Sequence, residues 1–454
     1  MKTKTILLTG FILLFAAFII NAQNFNKIKE DSLLNLLAEK NKAMGSLAIS
    51  ENGNIIYAKA IGFKESSPSI MPSDEKTKYR IGSISKMFTA TLIFKLIDEG
   101  QLELGTPLAK FYPSIPNADK VTVGLLLSHR SGIHNFTDDS LYMTYMLQPK
   151  TRQEMIDIIA ATKPDFEPDA ITKYSNSNFV LLGYMVEDLY KKPYNEILQE
   201  QICKKAGLTD TYYGGKIDPA RNESHSFRLT QLFHGNVSTD ISTWEKQPET
   251  DMSIPHGAGA IISTPTDLVR FIYALFNDQL VSKTSLANML TIKDASLGMG
   301  IMQIPYENKK VYGHGGAIDG FNSILCYMPE EKIAFSYISN GTGYAVNDIL
   351  LRTINNYFGK YDKLPEFKTY IVNPHDLEQY TGIYASLQIP IKVTITARDG
   401  KLYGQGSGQP EILLEAVDNN IFKFDPAGII MIFHPEQKEF ILEQGGGKYT
   451  FTKE

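Results

Sequence analysis

The chain has 454 residues, 43% of them hydrophobic and 21% charged, and a formal charge of −5 at neutral pH. These proportions belong to a folded globular protein of two or three domains, and they exclude a collagen, a low-complexity tail and a polytopic membrane protein. With no basic excess to neutralise phosphates, nucleic acid is not an expected partner.

The first 22 residues read as an export signal, followed by a mature chain that works outside the cytoplasm. Lys2 and Lys4 precede an apolar run from Ile6 to Ile20, and Ala22 offers a small residue for cleavage. That run is shorter than the roughly 20 residues needed to span a bilayer, so no integral span is expected in the mature chain. Leu33, Leu34, Leu36, Leu37 and Met44 then share one face at helical spacing. Ser46–Ser50 and Ile55–Ala60 flank Asn52-Gly53, a hairpin signal. A helix is predicted from Ser83 to Asp98, stopped by Gly100.

Helical patterns dominate between about 120 and 280, including Gln153–Ala161, Asn178–Leu189 and Thr266–Leu275. Strand patterns return at Gly300–Ile304, Ile324–Met328 and Ile333–Ile338. Strands at both ends of a helical middle predict an α+β domain, 23–356, whose N- and C-terminal strands share one antiparallel sheet. A linker follows over 357–374, with mixed charge and two prolines. Residues 375–454 read as short strands, with Asp399-Gly400 as one turn, and predict a small antiparallel barrel or sandwich.

Several familiar sites are missing. There is no Gly-x-Ser-x-Gly, no His-Glu-x-x-His and no glycine-rich phosphate loop, and the eight histidines are scattered. No metal and no organic cofactor is expected. Cys203 and Cys326 could form one bridge, but two buried thiols are the expectation.

What remains is Ser83-Ile-Ser-Lys86 at the start of a predicted helix. A serine becomes a nucleophile only beside a base, and lysine is a base only where burial and positive potential pull its pKa towards neutrality. A helix start supplies such potential and a backbone N–H for an oxyanion. Alone, the motif could be a chance match, with Ser83 a plain N-cap. Two further segments are equally weak in isolation. Tyr174-Ser-Asn176 lies in a loop before a helix, where most such triplets are turns, and Gly313-His314-Gly315-Gly316-Ala317 suits a turn or bulge.

In this order the three segments resemble the Ser-x-x-Lys, Tyr-x-Asn and Lys/His-x-Gly elements of the serine β-lactamase and penicillin-binding-protein superfamily. The likeness is to class C β-lactamase-like hydrolases, including D,D-carboxypeptidases, D-aminopeptidases and esterases. Leu125–Ile133 and Gly257–Leu268 also look like the family, and the resemblance covers roughly residues 30–355. It implies a β-lactamase/transpeptidase-like fold, with Ser83 as acylated nucleophile and Lys86 and Tyr174 as coupled bases and acids. Asn176, His314, Gly315 and Gly316 would contact substrate, and the N–H groups of Ser83 and Ala317 would form the oxyanion hole. Asn135 could add a polar contact, and His129 reads as structural. The C-terminal strands resemble lipocalin-like domains appended to some members.

One departure matters. His314 stands where class C β-lactamases carry a lysine, so recognition of a β-lactam carboxylate should be weaker. The expected substrates are therefore small peptides or amides of D-amino acids, or esters. A true β-lactamase is the same-fold alternative, and a non-catalytic penicillin-binding receptor or binding protein is the alternative of another class.

Overall fold

The computed structural model describes residues 25–229, 244–360, 363–368 and 370–454. The expected export signal, 1–22, lies outside them. Among the described residues no helix is long and apolar enough to cross a membrane.

Helix α1 (Lys27–Glu39) starts at Asn26, whose side chain accepts the Lys29 N–H, and buries Leu33, Leu34 and Leu37. Met44, grouped with these leucines by spacing, lies instead in the first strand, because the helix stops at Glu39. Strands β1 (Ala43–Glu51) and β2 (Asn54–Ile61) form the expected hairpin, with Asn52 and Gly53 both at positive φ, as a tight two-residue turn requires. Helices α2 (Ser85–Asp98), α3 (Arg152–Ala160), α4 (Asn176–Tyr190) and α5 (Pro265–Phe276) follow. Gly100 takes φ +71° just past α2, the left-handed stop that its position predicted.

The main run of the sheet continues with β3 (Met302–Tyr306), β4 (Lys309–Ile318), β5 (Phe321–Met328) and β6 (Ile333–Thr342), two short strands, Phe227–Leu229 and Trp244–Lys246, join it beside β6, and helix α6 (Val346–Tyr357) closes the domain. Strand order is β3-β4-β5-β6-β1-β2, with β6 antiparallel to β1, so the two chain ends share one sheet as expected. Every residue of β1 except Glu51 is buried, because both faces are covered. Leu47, Ile49, Phe335 and Tyr337 pack under α1 and α6; Ala48, Leu325, Ala334 and Ile338 pack against the helical region. One long strand was read otherwise. Gly313–Ala317 is not a turn or bulge but part of ten-residue β4, and each of these five residues pairs with one of β5. Gly313 and Gly316 hide a strand whose neighbours leave no room for a side chain at those two positions.

The C-terminal region is a closed barrel of eight antiparallel strands: β7 (Gly382–Ala385), β8 (Lys392–Arg398), β9 (Lys401–Gly406), β10 (Ile412–Asp418), β11 (Ile421–Phe424), β12 (Ile429–His434), β13 (Glu439–Gln444) and β14 (Gly447–Lys453). Closure comes from the β7–β14 pairing, and Tyr380, Phe433, Phe440 and Phe451 fill much of the interior. Tyr357 ends α6 rather than opening the linker, and a 3-10 helix, Pro374–Tyr380, leads into the barrel. The barrel meets the larger domain through the Lys42 ammonium, 2.8 Å from Asp425 and 3.6 Å from Glu415, and through the Ala345 N–H donating to Asp425 O.

Candidate active site

Ser83 sits in a 3-10 turn, Gly82–Ile84, so α2 itself begins at Ser85 and not at Ser83. Ser83 is therefore not the N-cap of that helix; the cap position is Ile84, without a side-chain hydrogen bond. Gly82 has φ +51°, and a Cβ there would lie 2.8 Å from the Ala317 nitrogen. A Cβ at Gly316 would lie 2.1 Å from the Ile81 oxygen. Glycine at both positions is what lets β4 run against the serine turn, backbone on backbone.

Lys86 is fully buried in α2, a helix enclosed along most of its length. Its Nζ lies 2.9 Å from Ser83 Oγ, 2.7 Å from Asn176 Oδ1 and 2.8 Å from the Ala258 carbonyl. Burial drives its pKa well below the usual lysine value. A neutral amine has two N–H donors and one lone pair. The Asn176 and Ala258 oxygens can only accept, so they take both donors. The lone pair is left for the Ser83 hydroxyl, which is the geometry for removing its proton.

Tyr174 approaches the same serine by a hydrogen bond between the two hydroxyls. Burial outweighs that bond and raises the phenol pKa, so Tyr174 keeps its proton. Its ring centroid lies 4.9 Å from Lys86 Nζ and is stacked on His129 at 4.4 Å. His129 is buried and neutral, and its Nδ1 accepts the Ser175 N–H at 3.1 Å. It thus fixes the Tyr174-Ser175-Asn176 loop. Asn135 holds the next residue: its Oδ1 accepts the Asn176 N–H at 2.9 Å, and its Nδ2 donates to Thr137 and Asp138.

His314 is buried, and its Nδ1 is hydrogen-bonded to the Gly315 carbonyl. Burial lowers its pKa to about 4, so the ring is uncharged at neutral pH. Its centroid is 6.2 Å from that of Tyr174. Ala317 is exposed at the end of β4. Ser83, Lys86, Tyr174, Asn176, His314 and the Gly315–Ala317 backbone are therefore gathered in one place. Three neighbours were not read as site residues: Ala258, whose carbonyl lies 2.8 Å from Lys86 Nζ, and Arg80 and Asp319, whose side chains pair beside the serine turn. The Gly257-Ala258-Gly259 run carried a signal for the first; nothing local marks the other two. Among the described residues no group of His, Cys, Asp and Glu could hold a metal ion. Cys203 and Cys326 are both buried and free.

The family model described as Beta-lactamase matches residues 33–355. The chain belongs to the beta-lactamase family. A penicillin-binding protein of Bacillus subtilis is 25% identical over 450 residues, which are 93% of this chain and 98% of that one. The D-alanyl-D-alanine-carboxypeptidase/endopeptidase AmpH of Escherichia coli is 24% identical, over 56% of this chain and 68% of its own. Among solved structures, the D-amino acid amidase from Ochrobactrum anthropi SV3 superposes with a TM-score of 0.60 at 25% identity, covering 72% of this chain and 99% of that one. As a member of this family of serine hydrolases, the chain combines a β-lactamase/transpeptidase-like domain with a C-terminal antiparallel barrel.

Proposed function

We propose that this chain is an exported serine acyl hydrolase that works through an acyl-enzyme at Ser83. Its substrates in this reading are peptides or amides of D-amino acids, or small esters. The observation that carries the reading is the Lys86 amine, its pKa pulled down by burial, whose neutral form has acceptors for both donors and its lone pair left for Ser83 Oγ. As Oγ attacks the carbonyl, its proton passes to Lys86. The Ser83 and Ala317 N–H groups receive the charge on the carbonyl oxygen. Tyr174, which keeps its proton, hands it to the departing amine or alkoxide and is reprotonated from Lys86. Two groups whose surroundings push their pKa values in opposite directions fit a division into base and acid. Water then cleaves the acyl ester by the reverse proton path. Asn176 orients substrate and the amine together.

The substrate class is supported by the carboxypeptidase and amidase named above and by the uncharged His314, a poor anchor for a β-lactam carboxylate. The test is a panel of D-Ala-D-Ala peptides, D-aminoacyl amides, short esters and nitrocefin. Amides or esters should turn over, while penicillin labels Ser83 slowly and persistently by intact-protein mass spectrometry. Ser83→Ala should abolish the adduct. Hydrolysis of nitrocefin above about 10 per second, an ordinary enzymatic rate, would make the protein a β-lactamase instead.

A further inference from the structure

The two N–H groups assigned to the oxyanion come from unconnected parts of the chain, one in the serine turn and one at the end of β4. What sets their spacing is visible just outside them. Arg80 lies three residues before Ser83, and Asp319 two residues after Ala317. Their side chains meet across the seam, NH1 to Oδ2 at 2.8 Å, although they are 239 residues apart in the chain. Both are almost wholly buried, at 2% and 1% side-chain exposure.

Both terminal nitrogens of Arg80 and both carboxylate oxygens of Asp319 are engaged. Asp319 Oδ1 accepts the Thr250 N–H at 2.9 Å and the Thr250 hydroxyl at 2.7 Å. Arg80 donates to the Thr250 carbonyl at 2.8 Å and the Gly215 carbonyl at 2.9 Å, and lies 3.2 Å from Glu249. On the other side of the seam, Ser323 Oγ donates to the Ile81 carbonyl at 2.8 Å.

We propose that Arg80 and Asp319 are positioning residues for acylation: their ion pair locks β4 to the serine turn and so fixes the distance between the Ser83 and Ala317 N–H groups. A buried pair loses most of its attraction to desolvation, so its net gift to stability is small. A forked guanidinium does, however, impose distance and direction on the segments it joins. Here that matters, because oxyanion stabilisation depends on donors placed in advance, and a displacement of about 1 Å at a reacting centre can cost 100-fold in rate. The glycine contacts at Gly82 and Gly316 stop the segments moving closer. The ion pair stops them moving apart. The inference rests on the acyl-enzyme reading above.

The test uses the full chain with Asp319→Asn and Arg80→Lys. Asp319 sits at φ +54°, which asparagine also tolerates, and Asn keeps an oxygen for Thr250. Arg80→Lys keeps the charge and loses the fork. For a turned-over ester, each variant should lower kcat at least about tenfold, a fraction of the 10²–10³ attached to one oxyanion donor, and leave KM within about twofold. Affinity for an alkylboronic acid should fall in parallel with kcat: Ser83 Oγ adds to boron as its proton passes to Lys86, and a boron-bound oxygen occupies the oxyanion position. Amide hydrogen exchange over 314–318 should quicken while β1 and β6 stay protected. Wild-type kcat and boronate affinity in the folded variants, or a change confined to KM, overturns the proposal. So does unfolding of both variants, which would make the pair a stability element. If the native protein neither turns over esters nor binds the boronate, the Ser83 reading fails. The exchange rate over 314–318 then decides the clamp, and an unchanged rate rejects it.

Discussion

Lys86 and Tyr174 divide their labour by burial. A lysine pulled below its normal range must lose its proton to act, so kcat/KM should rise with pH through that lowered value. The raised tyrosine should set the alkaline limit. A profile of kcat/KM against pH checks both limbs; an ascending limb near 10.5 would mean that Lys86 is not the base. Lys86→Ala and Tyr174→Phe should each slow acylation by at least about 100-fold, the scale of general acid–base catalysis, as read by fluorophosphonate labelling. His314 makes a separate prediction, for stability. Its folded pKa of about 4 lies below the usual 6.5, so the unfolded chain binds the extra proton more readily. Stability is therefore complete above about pH 6.5 and is lost as pH falls towards 4, by about 3 kcal/mol at most. His314→Gln should flatten the melting temperature over that window; an unchanged slope would show that the ring is not held neutral.

At the scale of elements, the site is a junction of three pieces: the serine turn with α2, the loop before α4, and β4. Each is placed by packing against the others, not by local preference. The closest junction is the glycine seam. A methyl group at Gly316 would fall 2.1 Å from the Ile81 oxygen and 2.4 Å from Ser323 Oγ. Gly316→Ala should therefore cost about 1–3 kcal/mol, as overpacking of a filled site does, and should also displace Ala317. The expected result is a lower melting temperature with labelling of Ser83 nearly lost. Full labelling with an unchanged melting temperature would mean that β4 can retreat without penalty.

On the scale of the whole molecule, the catalytic sheet takes no strand from the barrel. Cutting after Lys360 should leave a folded domain that still labels at Ser83. It should melt several degrees lower, because Lys42 loses Asp425 and Glu415, and the cluster that joins Met44, Phe63 and Trp244 to the barrel core is opened. Melting curves and labelling of the truncated protein test this. Insoluble or unlabelled protein would show that the barrel completes the larger domain's core.

Much of this was legible in the order of residues. Turns written in Asn-Gly and Asp-Gly, the helix stop at Gly100, the amphipathic stretches and the order of strands and helices are local signals, fixed by backbone sterics and by the period of burial. Those are enough to give an α+β domain followed by a small β domain, and the three motifs name the residues that converge. Met44, the true start of α2 and the strand hidden in Gly313–Ala317 were misread, because each depends on what lies against it. Gly316 is indistinguishable from a turn residue until Ile81 and Ser323 occupy the space that a side chain would need. Only the tertiary structure could show that Lys86 has two oxygens for its two donors, that His314 is sealed from water, and that Arg80 reaches Asp319. Burial and pairing across hundreds of residues decide those, and no local stretch of sequence carries them.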